Sequence, residues 1–464
     1  MKRQKLLSSC ASFAPMIVLF IIILPLAIFI NPELLPRFLG ETSHISQYGY
    51  LDLEHYADLA TGKSITAQQT AFYPLWPYLI GVFNGTFGPN IYRTAIFLSG
   101  LIAILSMILS RYAFHKLSAN KISSIVSFSL YVLSPMSVFL FVGYTESLFS
   151  VGTWILILLI VNILSLPDKC KYAYRINYFL LFSICACLGL IRPTLPQAIF
   201  STIVTLFLTL KTAPDDNLIR RKKYIYISIL IIAGFGFGYI VYGLVCLSNG
   251  FRFFEPFYVQ KLWEKSFGIR PIYLLTSRSP LIDFMGLYYP FLLIVNSLRS
   301  FNASFGFLNI LFSKNLPLTL IYPPLGFIYG ILSKKLDSLK NTESSTELKR
   351  EKISLNDKYF MNFRYLFWYC SFTAFSNSLI CAFTQKLYLA SLGRYVFGQP
   401  YFYIALSIFI GSKASESIKH PKIVYCLTML ISCGMLLKNF VDFGNANLHV
   451  WYKYSCKCPS KKIA

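Results

Sequence analysis

Charge is what this sequence most conspicuously lacks. Only 13% of its 464 residues are Asp, Glu, Lys or Arg, about half of the ~25% carried by a soluble domain. Apolar residues make up 55% of the chain. A water-soluble fold of this size could not hide that much apolar surface, so lipid is the expected solvent. Acidic residues are scarcer still, 19 against 43 basic ones, and only five histidines are present. No repeat of 20–50 residues, no appended soluble domain and no Gly-rich nucleotide-binding loop can be found, which argues against solenoid architectures and against a nucleotide-sugar substrate. No small-residue cleavage site follows Ile30, so the basic, then apolar N-terminus reads as an uncleaved anchor.

What the chain has instead is apolar runs. A helix needs roughly 20 mostly apolar residues to cross a ~30 Å hydrocarbon core. Runs suited to this lie at about 13–30, 91–110, 122–143, 147–166, 176–191, 195–210, 224–247, 284–297, 316–332, 359–382, 399–412 and 422–437, with 299–314 as a further short crossing or re-entrant piece. The expected fold is an all-α polytopic membrane protein of about eleven to thirteen transmembrane helices.

The formal net charge of +24 is spread in a way that speaks against nucleic acid. Basic residues fall in alternate connections: Lys2, Arg3 and Lys5; Arg111, Lys116 and Lys121; Lys169, Lys171 and Arg175; Lys211 and Arg220 to Lys223. The same holds for 334–358 and for Lys413, Lys419 and Lys422. That alternation is the positive-inside pattern, with the N-terminus in the cytoplasm. Membrane lipids, including anionic headgroups, are sufficient partners for it. The polar segment 334–358 reads as a cytoplasmic linker between an N-terminal membrane block, 1–333, and a C-terminal one, 359–464. The eleven cysteines lie mostly inside spans as small apolar fillers. Cys456 and Cys458 lack the further ligands a zinc site needs, and a disulfide or free thiols remain open for them.

Three outward segments, 31–90, 249–283 and 383–398, are longer or more cationic than connection requires. The first holds Leu51-Asp52-Leu53-Glu54-His55-Tyr56-Ala57-Asp58-Leu59-Ala60, whose pattern suits a short interfacial helix. On it Asp52, His55, Tyr56 and Leu59 share one face, and Glu54 and Asp58 another. A carboxylate one turn from an imidazole can serve as a base or hold a divalent cation with other ligands. Equally, such a helix could simply face water. The next motif, Gln68-Gln69-Thr70-Ala71-Phe72-Tyr73-Pro74-Leu75-Trp76-Pro77, carries two prolines that would break an ordinary helix and aromatics suited to the headgroup level. Further along stand Ser134-Pro135 and Tyr144-Thr145-Glu146-Ser147, where Glu146 is a substrate contact or part of a helix cap. Arg192-Pro193 places a cation that either snorkels or binds a phosphate.

In that order these motifs resemble the second GPI mannosyltransferase (PIG-V) family and its prokaryotic relatives, over roughly residues 45–400. Gln260-x-x-Trp263 and Arg394-Tyr395 with Pro400 are similar as well. Two positions depart from the family pattern: Leu51 stands where it has tryptophan, and Gln68 where it has glutamate. The resemblance implies a GT-C-type bundle and an inverting glycosyltransferase. Its donor would be a polyprenyl- or dolichyl-phosphate hexose, with mannose first among the candidates. Asp52 would be the catalytic acidic residue of the first external loop. Candidate substrate contacts are Glu54, His55, Tyr56, Gln69, Phe72, Tyr73, Tyr144, Glu146, Arg192, Gln260, Trp263 and Arg394. Arg192 and Arg394 would stand near the leaving phosphate. No cofactor is required, although Asp52 and His55 could hold a divalent cation. The acceptor stays unspecified. The membrane would be the cytoplasmic membrane of a prokaryote or the endoplasmic reticulum of a eukaryote, with the site on its non-cytoplasmic face. A transporter or flippase of an anionic or lipid-linked substrate, and a glycan ligase or polymerase using a lipid-linked saccharide, are the competing expectations.

Overall fold

The computed structural model describes residues 13–39, 51–62, 65–88, 90–118, 121–167, 170–211, 218–261, 362–377, 394, 398–410 and 421–444. Among these residues the architecture is helical, without a named strand. Its elements are α1 (Ala14–Ile30), α2 (Leu34–Phe38), α3 (Leu51–Ala60), α4 (Leu75–Val82), α5 (Ile91–Leu117), α6 (Lys121–Val132) and α7 (Glu146–Ser165). Then follow α8 (Lys171–Ile191), α9 (Leu195–Lys211), α10 (Leu218–Ser248), α11 (Glu255–Tyr258), α12 (362–377), α13 (Pro400–Ile410) and α14 (Pro421–Gly444).

Among the described residues four helices, α5, α7, α8 and α10, are long and apolar enough to cross a membrane. The expected runs at 284–297, 299–314 and 316–332, the linker 334–358 and most of 249–283 and 383–398 lie outside the described residues. Large apolar side chains cover the outside of the bundle: Ile21, Phe29, Phe179 and Phe207 are each more than half exposed. Water would penalise such a surface, whereas lipid tails do not.

The bundle is built around α7. In its most apolar stretch 72% of the residues are buried, against 33–44% in the other three long helices, so α7 is the axis and α5 and α8 pack on it. The most extensive helix pair is α8 with α10. Small residues make that approach close: a Cβ at Gly234 would come within 2.5 Å of Cys185 Cβ, and one at Gly238 within 2.3 Å of the Ala186 carbonyl oxygen. Without a hydrophobic drive between helices in lipid, close backbone packing of this kind supplies the association energy.

Prolines shape three elements. In α1 a π-turn, Val18–Ile23, precedes Pro25, whose missing N–H deprives the Ile21 carbonyl of its α-helical partner. The expected single run at 122–143 is divided. Helix α6 stops at Val132, Ser134 is extended (φ −58°, ψ 139°), and a 3-10 turn occupies Pro135–Leu140. The pyrrolidine ring of Pro135 disfavours helical geometry at Ser134, and Ser137 Oγ satisfies the freed carbonyls of Tyr131 and Val132 at 3.0 and 2.8 Å. Conversely, Pro74 and Pro77 begin a helix instead of breaking one. Pro74 is the N-cap of α4 and Pro77 falls in its first turn, where an N–H would have no intrahelical partner anyway.

The two ends of the bundle differ in chemistry. At one end Lys223 Nζ donates to the Leu166 carbonyl at 3.0 Å, Arg220 Nη2 donates to Asn362 Oδ1 at 3.2 Å, and α5 finishes on His115 and Lys116. At the other, Tyr242 donates its hydroxyl to the carbonyls of Thr70 and Phe72 at 2.7 and 3.1 Å, binding the first long connection to the far end of α10.

Candidate functional site

The end opposite Arg220 and Lys223 begins with α3. Asp52 and Glu54 lie in its first turn, where they favour the positive end of the helix dipole. Its buried face is Leu53, Tyr56 and Ala57, the i, i+3, i+4 set, so Asp52 and His55 sit on the flank of the packed face. Leu53 docks against Gly143, which has φ +80°; a Cβ there would stand 3.0 Å from Leu53 Cδ1. Gly143 is therefore required twice, for its backbone and for the close approach of α3. Its N–H donates to Ser99 Oγ at 3.0 Å, and its carbonyl accepts from Trp76 Nε1 at 2.9 Å. One glycine thus joins the first connection, α5 and the turn leading into α7.

That turn delivers Glu146 as the first residue of the central helix, with its side chain fully buried. Thr145 occupies the N-cap position but makes no side-chain cap, and the Ser147 hydroxyl is buried without a hydrogen-bond partner among the described residues. A buried carboxylate is tolerated only when it is paired and hydrogen-bonded. Arg394 does this side-on: Nε donates to Glu146 Oε1 in a short contact, and Nη2 donates to Oε2 at 3.2 Å. Arg192, at the end of α8, places Nη1 3.2 Å from the same Oε1. The third nitrogen of Arg394, Nη1, donates to Asp52 Oδ2 at 2.6 Å.

Two carboxylates and two guanidiniums thus form one neutral chain, Asp52–Arg394–Glu146–Arg192. Aromatic faces hold its cations: Arg394 lies 4.4 Å over the Tyr144 ring centroid and 5.5 Å from that of Phe139, and Arg192 lies 5.7 Å from Phe149. Exposure grades along the chain, from 0% for the Glu146 side chain and 6% for Arg394 to 26% for Asp52. Asp52 is where the chain opens to its surroundings.

Next to it, His55 lies against Phe72 with ring centroids 4.6 Å apart and planes tilted by 30°, and Tyr56 meets Phe72 edge-on at 5.2 Å. Burial pushes the His55 imidazole below its ordinary value of 6.5, against the opposing pull of Asp52, Glu54 and Asp58. Burial, with the Asp52 charge, pushes the Tyr56 phenol well up. His55 is consequently neutral near pH 7 and Tyr56 stays a protonated donor. Among the described residues no group of three or more His, Cys, Asp or Glu is disposed to hold a metal ion.

The remaining candidates separate from this centre. Gln69 is engaged in a capping box: its side-chain oxygen accepts from Thr66 N at 3.0 Å, and its own N–H donates to Thr66 Oγ1 at 3.4 Å. Tyr73 is buried against Tyr242 at 4.6 Å, and burial raises its phenol well above the ordinary value. Gln260 donates to the Pro256 carbonyl at 3.1 Å. Glu54 is half-buried on α3, and Trp263 lies outside the described residues. Sequence reading missed Gly143 and Tyr242, which bring the first connection to its neighbours. A glycine followed by the Tyr-Thr-Glu motif was the available signal for the former.

No family model, no curated protein and no solved structure matches the chain. The functional reading accordingly rests on the chemistry of this site and the motifs that compose it.

Proposed function

We propose that the chain is an inverting glycosyltransferase of the GT-C type and a multi-pass membrane protein. It would move mannose or a related hexose from a polyprenyl- or dolichyl-phosphate donor to a lipid-linked or other acceptor. The site would face the non-cytoplasmic side, opposite the basic end of the bundle. One observation carries this reading: Asp52, Glu146, Arg192 and Arg394, drawn from four distant segments that all bear the motifs, meet in a single buried ion-pair chain whose accessible end is a carboxylate.

The chemistry follows from that order. In inverting transfer the acceptor oxygen bonds to the anomeric carbon as the bond from that carbon to the phosphate oxygen breaks, with oxocarbenium character between. Asp52 takes the acceptor proton as general base. Its charge is then neutralised, which weakens its hold on Arg394 Nη1 just as negative charge builds on the departing phosphate. Arg394 is placed to meet that charge, while Glu146 and Arg192 keep its plane fixed. A phosphate leaving group needs no separate general acid. A lipid donor suits a site at the end of an apolar bundle, where its tail can lie among helices and its sugar phosphate at the surface.

The test is product analysis after incubating purified protein with a polyprenyl-phosphate hexose. Asp52→Asn is expected to insert and elute as wild type yet lose transfer by about 10²–10⁴-fold, the usual worth of a general base. Undiminished transfer in that variant would remove the assignment. Uptake of the donor into liposomes without a covalent product would favour a transporter, and transfer of a whole saccharide chain would favour a ligase or polymerase.

A further inference from the structure

The basic end of the bundle holds a cavity of about 310 Å³ between the last turn of α7 and the first turns of α10 and α12. Among the described residues, Arg220, Lys223, Asn362 and Ser165 supply its polar lining and Ile219 and Phe363 part of its apolar wall, and none of these is acidic. The two cations are held in place. Lys223 Nζ donates to the C-cap carbonyl of α7, at Leu166, and lies 5.0 Å from the Tyr174 ring centroid; Arg220 Nη2 donates to Asn362 Oδ1. An ammonium with three N–H groups and a guanidinium with five can serve a bridging phosphate in addition to such contacts.

We propose that this cavity binds the phosphate headgroup of an anionic membrane phospholipid. The shared chemistry is a phosphate held between Arg220 and Lys223, and two features favour a lipid over a free ion. The cavity wall is partly apolar, which a soluble phosphate would leave wet. Moreover, the face of α10 that carries the cavity-lining Ile219 continues outward with exposed Tyr226, Phe237, Ile240 and Leu244, at spacings of seven, eleven, three and four. That stripe is a track along which an acyl chain can lie. Basic pockets between helix ends on the positive side of a membrane protein have this recognition chemistry. The inference is independent of the transferase reading, because it uses none of the residues around Asp52.

Full-length protein, extracted in mild detergent and equilibrated with equimolar phosphatidylglycerol and phosphatidylcholine, should retain phosphatidylglycerol preferentially when counted by native mass spectrometry. Arg220→Gln, which can still donate to Asn362, should lower that retention roughly fivefold, the worth of one cation near a lipid surface. Asn362→Asp is a second variant at an exposed position that leaves the packing untouched, and its new carboxylate beside Arg220 should lower retention similarly. Arg220→Lys should restore most of it. Inorganic phosphate at millimolar concentration should not displace the lipid. Equal retention of both lipids, unchanged retention in Arg220→Gln and Asn362→Asp, or full displacement by inorganic phosphate would each overturn the proposal.

Discussion

Glu146 shows how much one side chain can commit a fold. It is fully buried and answers two guanidiniums. Removing its charge takes a carboxylate partner from both Arg394 and Arg192. Breaking one partner from a buried ion pair costs about 3–5 kcal/mol. Glu146→Gln is therefore expected to lower the thermal midpoint of the purified protein sharply, whereas Asp52→Asn, at the more exposed end, should shift it little. His55 supplies a prediction in pH. Its pKa is lowered in the folded chain, so between that value and 6.5 the unfolded segment binds more protons than the folded one, and stability rises with pH. Docking of α3 should thus weaken as pH falls below 6.5, and His55→Phe should flatten that part of the profile, read by hydrogen exchange of 51–62. Asp52 and Glu146 were legible in the sequence because short motifs carry them. The bond joining both to Arg394 was not, since periodicity and spacing say nothing about partners separated by hundreds of residues.

Helices were legible to the degree that apolar length decides them. The run expected at 147–166 is α7, Glu146–Ser165, and the helix expected from Leu51 to Ala60 is α3. The run at 122–143 failed as one helix because hydropathy does not register the conformational demand that Pro135 makes on Ser134. Also unread was the small-residue seam Gly234-x-x-x-Gly238, whose meaning depends on which helix lies opposite. There the backbone of α8 leaves no space for a methyl group. Gly238→Ala should force α8 and α10 apart and cost on the order of 1–3 kcal/mol, as overpacking does, measured as a lowered midpoint in detergent. Gly236→Ala, which would meet nothing within 4 Å, is the matched control and should be near neutral.

At the scale of the whole molecule, residues from alternate basic stretches of the sequence, His115 and Lys116 with Arg220 and Lys223, stand at one end of the bundle. This was legible because lipid forces the sorting of lysine and arginine, and that sorting is visible in one dimension. If the proposed orientation holds, a cysteine placed at exposed Thr61 should react with an impermeant maleimide on intact cells or right-side-out vesicles. One at exposed Lys222 should react only after permeabilisation. Reversed labelling would put the Asp52 site on the cytoplasmic side and remove a polyprenyl-phosphate donor presented from outside.

The bond from Arg394 to Asp52 closes over 342 residues, and this has a consequence for how the molecule is made. Translation releases Glu146 and Arg192 early, but Arg394 emerges some 200 residues later, roughly 10–40 s at 5–20 residues per second. During that interval Asp52 waits without the guanidinium that fixes it. The site is thus completed only once Arg394 has been made, and a ribosome that stops before it leaves a chain whose first loop has its motifs but no finished centre.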